Sequence, residues 1–177
     1  MAFRWSSVLL GSLAALAIAS VLSGCADDRL RLTSPAFAEG ARLPARFSCD
    51  GAGVSPPLRW SPIADGNGQV ALVLRDLDTA GDVGFHWVVV DIPPARRDLA
   101  TGRLPSGANV LPEGTGSTRY RPPCPPRKDD PHRYAFTLYA LSARPAISVQ
   151  TPPREAEEAI EDAASARGTL TGSYGRP

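Results

Sequence analysis

Charge imbalance is what this chain most lacks: 19 basic residues face 18 acidic ones, for a net charge of +1. Without a basic excess there is no electrostatic case for a nucleic-acid partner. Histidine is scarce, at two residues in 177, so any imidazole chemistry must run through His86 and His132. The three cysteines, Cys25, Cys49 and Cys124, form no C-x-x-C pair, which argues against a zinc site. No metal and no cofactor is expected. No serine or cysteine stands beside a base as an activated nucleophile would, so no catalytic residue is nominated and an enzyme is not expected. Internal repeats are absent. The one long apolar run, Val8–Leu22, falls short of the roughly 20 residues that a helix needs to cross a bilayer.

That run has a different use. Arg4 supplies a basic start, Val8–Leu22 an apolar middle, and Leu22-Ser23-Gly24-Cys25 a close with small residues before a cysteine. The pattern resembles the lipobox of bacterial lipoproteins. It implies removal of a signal peptide over residues 1–24 and acylation of the Cys25 thiol, with diacylglycerol and palmitate-like chains as the anchor. Several acyl chains hold a protein stably at a membrane, where one is marginal. Residues 25–31 then read as a tether and 32–177 as one domain, large enough to bury its own core. The expected location is the cell envelope. Ala26 rather than aspartate follows the cysteine, which favours the outer membrane if the host is Gram-negative.

Cys49 and Cys124 remain, an even pair in an oxidising compartment, and this favours a disulfide over two buried thiols. A bond across so long a loop adds on the order of 4 kcal/mol.

Proline and glycine are abundant, at 18 and 16 residues, which suits a β-rich fold with many structured turns. Val70–Leu74, Phe85–Ile92 and His132–Leu141 are apolar, β-branched and aromatic, and read as strands. Their weak alternation predicts burial on both faces and a central place in the sheet. One helix is expected after Thr151, which can cap it. Pro152 and Pro153 suit its first turn and Glu155 its N-terminal charge. Ala156, Ala159, Ile160, Ala163 and Ala164 repeat on one face, with Gly168 as the stop. Gly168–Tyr174 reads as a last edge strand.

Polar residues cluster where the apolar strands end. Asp76-Leu77-Asp78 follows the first, His86 opens the second and His132 the third. Period-2 alternation places His86 with Val88, Val90 and Ile92, and His132 with Tyr134, Phe136 and Leu138. Singly, each histidine fits a hydrogen-bonded core residue and each aspartate a turn former. Together, an aspartate and two histidines at strand ends can converge on one small polar pocket.

These segments carry a family resemblance. Asp76-Leu77-Asp78-Thr79 is similar to a D-P-D-A-P motif, and His86-Trp87-Val88-Val89-Val90-Asp91-Ile92-Pro93 to H-W-V-V-x-N-I-P. Pro122-Pro123-Cys124-Pro125-Pro126 with His132-Arg133-Tyr134 resembles G-P-x-P-P…H-R-Y. Cys49-Asp50-Gly51, Ser55-Pro56-Pro57-Leu58 and Trp60 match a C-D-G…S-P-P-L-x-W element, and Gly172-Ser173-Tyr174-Gly175-Arg176 a closing G-T-Y-G-R. The chain resembles the phosphatidylethanolamine-binding proteins, in their bacterial Raf-kinase-inhibitor-like branch. The resemblance implies a mainly β fold: a two-sheet antiparallel β-sandwich with Greek-key connections and peripheral helices. It implies a pocket for a small anion or phospho head group, lined by Asp76, His86, His132 and Tyr134, with Cys124 and its flanking prolines as one wall. Both imidazoles and the Tyr134 hydroxyl would donate to phosphate oxygens, and Asp76 would orient one imidazole or bind a cationic amine of the head group. Leu77 stands where the family has proline, and Arg121-Pro122-Pro123 where its glycines usually precede P-C-P-P. The expected function is an extracytoplasmic binding protein for a small anionic or phospho-ligand, held to the membrane by its lipid. The alternative is a protein-interaction or inhibitor module with a protein partner. A hydrolase or metal enzyme built on Asp76 and the two histidines is the least favoured reading.

Overall fold

The computed structural model describes residues 30–63 and 68–176. The expected signal segment 1–24, the lipidation site Cys25 and most of the tether lie outside them. Eight strands and one helix follow in order: β1 (Leu32–Thr33), β2 (Leu58–Trp60), β3 (Val70–Asp76), β4 (Phe85–Ile92), β5 (Asp98–Leu99), β6 (Asn109–Leu111), β7 (His132–Leu141), α1 (Pro153–Asp162) and β8 (Ala164–Tyr174). They form a three-stranded sheet β1-β2-β5 and a five-stranded sheet β6-β4-β3-β7-β8. Each named strand pair is antiparallel. In the large sheet β7 returns beside β3 after β4 and β6, which is the Greek-key order. The long connection that makes this return, residues 112–131, matters for the site below.

The layers explain the continuous apolar runs. Leu32, Leu58, Trp60 and Leu99 of the small sheet pack on Leu72, Leu74, Trp87, Val89, Phe136 and Leu138 of the large one. On the other face Val73, Phe85, Val88, Val90 and Tyr139 pack under Ala156 and Ile160 of α1. Strands β3, β4 and β7 therefore sit between two hydrophobic layers, so neither face can be polar. They are also the three central strands of the large sheet.

The helix departs from expectation at both ends. Pro152 is its N-cap and gives no side-chain cap; Thr151 Oγ1 instead accepts from the Ser148 N–H (2.9 Å), closing the preceding turn. Ala163 is the C-cap and Ala164 already belongs to β8, which pairs with the full length of β7. Gly168 does not stop the helix. It pairs with Leu138 inside β8, and a Cβ there would lie 2.1 Å from the Leu30 carbonyl oxygen. Leu30, placed in the tether by the sequence, is buried in the inter-sheet core.

Cys49 and Cys124 are joined by a disulfide, with Cα atoms 5.4 Å apart. The Cys49 N–H also donates to the Pro123 carbonyl (3.0 Å). The N-terminal loop and the 112–131 connection are thus tied twice at one point.

Because β8 and the Leu30 backbone approach too closely for any side chain, Gly168→Ala is expected to lower stability by about 1–3 kcal/mol, the usual cost of overpacking. Urea unfolding of the variant at an unchanged m-value measures it; a midpoint equal to the parent's would contradict the close approach.

Candidate functional site

Strand pairing assembles the site. Asp76, last in β3, is directly opposite Tyr134 in β7, and His132 lies two residues before Tyr134 on the same strand. The Asp76 carboxylate accepts three hydrogen bonds: Oδ1 from the Asp78 N–H (2.9 Å), and Oδ2 from the Thr79 hydroxyl (2.9 Å) and His132 Nδ1–H (2.8 Å). A carboxylate taking three donors acts as an ionised acceptor. It therefore orients the His132 ring and leaves Nε2 as that ring's remaining nitrogen. Asp78 turns away and is gripped by Arg133 through its backbone N–H (2.7 Å), Nε (3.1 Å) and a terminal guanidinium nitrogen (2.8 Å). These bonds from Arg133 hold the Asp78 carboxyl down at about 2.

His86 reaches the site through a break in strand register. Leu74 pairs with Trp87 and Arg75 with Phe85, so His86 is the extra residue of a β-bulge. Regular alternation would have sent it to the face of Val88 and Val90. The bulge turns its ring toward Tyr134 instead, edge-on with centroids 5.3 Å apart. A second irregularity, between Val70 and Leu72, likewise puts Ile92 on the inter-sheet face with Val89 rather than with Val90. Asp91, at this irregularity, has a φ of 57°.

The wall facing His86 is built by Arg121. Its N–H donates to the His86 carbonyl (2.9 Å) and its own carbonyl accepts from His86 Nδ1 (3.0 Å). A carbonyl cannot donate, so Nδ1 carries the proton and Nε2 of the neutral ring is an acceptor. Burial, with the Arg121 charge nearby, lowers the His86 pKa to about 4. The Arg121 guanidinium donates to Glu113 (2.6 Å) and to the carbonyls of Phe85 (2.7 Å) and Val83. Glu113 is buried and also accepts from the N–H groups of Thr115 and Ser117 and from the Thr115 hydroxyl. Neither Glu113 nor Arg121 was nominated from the sequence. The available signal was a charged residue where the family pattern has glycine.

Tyr134 lies between the two imidazoles, nearly parallel to His132 at 6.5 Å and 24°. It is fully buried, and its hydroxyl makes no well-formed hydrogen bond among the described residues, although the Asp76 carboxylate and the Cys124 backbone lie near it. Burial, with the Asp76 carboxylate close by, raises its ionisation well above the ordinary phenol range. The cluster is nearly closed: Asp76 and His86 are each 3% exposed, and the His132 side chain, at 14%, is the part open to solvent. Pro123 and Pro125 are buried beside it, whereas Cys124 itself is exposed and engaged in the disulfide. Cavities of about 370, 270 and 390 Å³ open elsewhere, and none of these three is lined by Asp76, His86, His132 or Tyr134.

Two further motifs meet each other rather than the site. Asp50 accepts the Tyr174 hydroxyl (2.7 Å) and two Arg176 N–H bonds (3.2 Å each), which hold its carboxyl below the ordinary range. Among the described residues no group of three or more His, Cys, Asp or Glu could hold a metal ion, and no helix is long and apolar enough to cross a membrane.

Comparison with known proteins agrees with this architecture. The family model "Phosphatidylethanolamine-binding protein" matches residues 33–175. The chain is 40% identical over 153 residues to the "Putative lipoprotein LppC" of Mycobacterium tuberculosis, covering 84% of this chain and 74% of the relative. The crystal structure of CT736 from Chlamydia trachomatis, described as a homolog of phosphatidylethanolamine-binding protein, superposes with a TM-score of 0.75 at 32% identity, over 85% of this chain and 99% of that one. YbcL of E. coli, described as a member of the mammalian family, gives 0.77 at 25% identity, over 84% and 99%. With the family model covering nearly the whole described domain, the chain belongs to the phosphatidylethanolamine-binding protein family.

Proposed function

We propose that this chain is a non-enzymatic binding protein of the cell envelope, anchored through a lipid on Cys25, whose Asp76–His132–His86–Tyr134 cluster takes a small anionic or phospho head group. The observation that carries the reading is the Tyr134 hydroxyl, fully buried without a well-formed hydrogen bond among the described residues. Leaving such a group unmet costs about 1–3 kcal/mol, and an anion oxygen entering past His132 would satisfy it. His132, its Nδ1–H held by Asp76, offers Nε2–H as a second donor once protonated.

The two imidazoles do not play the same part. With Nδ1–H spent on the Arg121 carbonyl, neutral His86 can only accept at Nε2. It complements a ligand that brings a proton, such as a P–OH or an ammonium group, rather than a bare oxyanion. A phospho head group carrying both kinds of atom fits that donor and acceptor set.

Titration calorimetry of the full chain with phosphate and phosphoethanolamine tests the site. Tyr134→Phe is expected to weaken binding at least tenfold, because a hydrogen bond to a charged group is worth about 1.5–3 kcal/mol. The same variant is expected to be as stable as the parent, or more so, without ligand, since it deletes an unsatisfied group. Absence of binding by the parent, or equal affinity in both, would overturn the reading.

The buried neutral His86 has its own signature. Its pKa lies near 4 when folded against about 6.5 when unfolded, so between these values the unfolded chain holds more protons. Its contribution is therefore full above pH 6.5 and is lost as pH falls toward 4, by a total of about 3 kcal/mol. His86→Gln should remove this component from stability measured across that window. Parallel pH profiles for parent and variant would show that His86 is not buried neutral.

The anchor has a separate test. Cys25→Ala should move the protein from the membrane fraction to the soluble fraction and abolish palmitate labelling; retention at the membrane would refute lipidation at Cys25.

A further inference from the structure

The cavity of about 370 Å³ lies beside the cluster, between the turn at 53–55, the turn at 102–104 and residues 118–120. Its volume falls within the range of small-molecule sites, about 300–1,000 Å³. Val54, Trp87, Leu104, Val110 and Tyr120 give it an apolar floor, and Arg103 and Arg119 line its edge. No acidic residue lines it. Both arginines are exposed, and neither side chain takes part in a hydrogen bond or ion pair among the described residues. Some arginines on this surface are paired, as Arg75 with Glu157 and Arg133 with Asp78, while Arg59 and Arg96, exposed elsewhere, likewise have no side-chain partner among the described residues. What distinguishes Arg103 and Arg119 is their place together at the edge of one apolar cavity that no carboxylate lines. Trp87, 3% exposed, adds an indole N–H with no hydrogen-bond partner among the described residues.

The walls are held before any ligand arrives. Tyr120 sits edge-on to Trp87 at 5.4 Å and its hydroxyl donates to the Phe47 carbonyl (3.0 Å). The Gly102 N–H donates to both the carbonyl (3.1 Å) and the hydroxyl (3.2 Å) of Ser55. The Cys49–Cys124 disulfide ties together the chain segments that continue into two of the walls. Preorganised walls reduce the ordering cost of binding.

We infer that this cavity is a second binding site, for a small free amphiphile with one anionic head, its apolar body resting on Trp87 and Val54 and its head on Arg103 and Arg119. The inference does not depend on the Tyr134 cluster, and the two can fail separately.

Equilibrium dialysis of the full chain against decanoate tests it, with decanol and acetate as controls that carry only the body or only the head. Decanoate is expected to bind one per chain, with decanol and acetate at least tenfold weaker. Arg103→Ala combined with Arg119→Ala, at exposed and unpaired positions, should weaken decanoate at least tenfold and leave the unfolding midpoint unchanged. Val54→Trp should fill the cavity and abolish binding. Tyr134→Phe should leave decanoate affinity unchanged. No decanoate binding by the parent, equal affinity in the double arginine variant, or loss in Tyr134→Phe would each overturn the assignment.

Discussion

The pairing of Arg121 with Glu113 is the constraint on which the rest of the site depends. Residues 112–131 cross over the sheet edge without forming a ladder, so their polar groups must be satisfied one by one. Glu113 is buried, and a lone carboxylate there would be prohibitively costly. Arg121 neutralises it through Nε and donates from Nη2 to the Phe85 and Val83 carbonyls. That grip positions the Arg121 backbone to exchange two hydrogen bonds with His86. The tautomer of His86 is thus set by the Arg121 backbone, which the side chain anchors and which leads directly into the prolines at 122 and 123.

This also explains why a charged residue can stand where the family pattern has glycine. A glycine there would leave space and a free backbone; Arg121 fills the space and commits the backbone. The cost is flexibility in the wall, and the gain is a fixed orientation of the rings, with one imidazole held by a carboxylate and the other by a carbonyl. At His86, burial and the nearby guanidinium disfavour a charged ring. The two histidines, similar in sequence context, thereby take different partners at Nδ1, the Asp76 carboxylate for His132 and the Arg121 carbonyl for His86.

How much of this was legible depended on length and on register. Strands β4 and β7 begin and end where their apolar runs do, and β3 extends only through Arg75 and Asp76, because burial on both faces leaves an unbroken hydrophobic signal. Strands β1, β2, β5 and β6 have two or three residues each, too few for any period to show. The alanine spacing at 163 and 164 continues the helical pattern past the helix, but pairing with β7 outweighs a weak local propensity. Among site residues, Asp76, His132 and Tyr134 follow from alternation along regular strands. The direction of His86 does not, since one inserted residue reverses the face, and Glu113 became meaningful only once Arg121 was placed against it.

The same bulge organises both candidate sites. In a regular strand, His86 and Trp87 would point to opposite faces of the sheet. Here both turn to the inter-sheet side, His86 toward Tyr134 and Trp87 into the core and cavity. The facing loop is arranged likewise, with Tyr120 against Trp87 and Arg121 against His86. Two adjacent residues on the strand thus meet two adjacent residues on the loop, and each pair closes one side of a different site. The polar cluster and the apolar cavity share this two-residue partition, which the disulfide at Cys124 holds from the far end of the loop. A chain that removed the bulge would return His86 to the helix face, away from Tyr134 and from the Arg121 carbonyl, while Trp87, paired in register with Leu74, would keep its place.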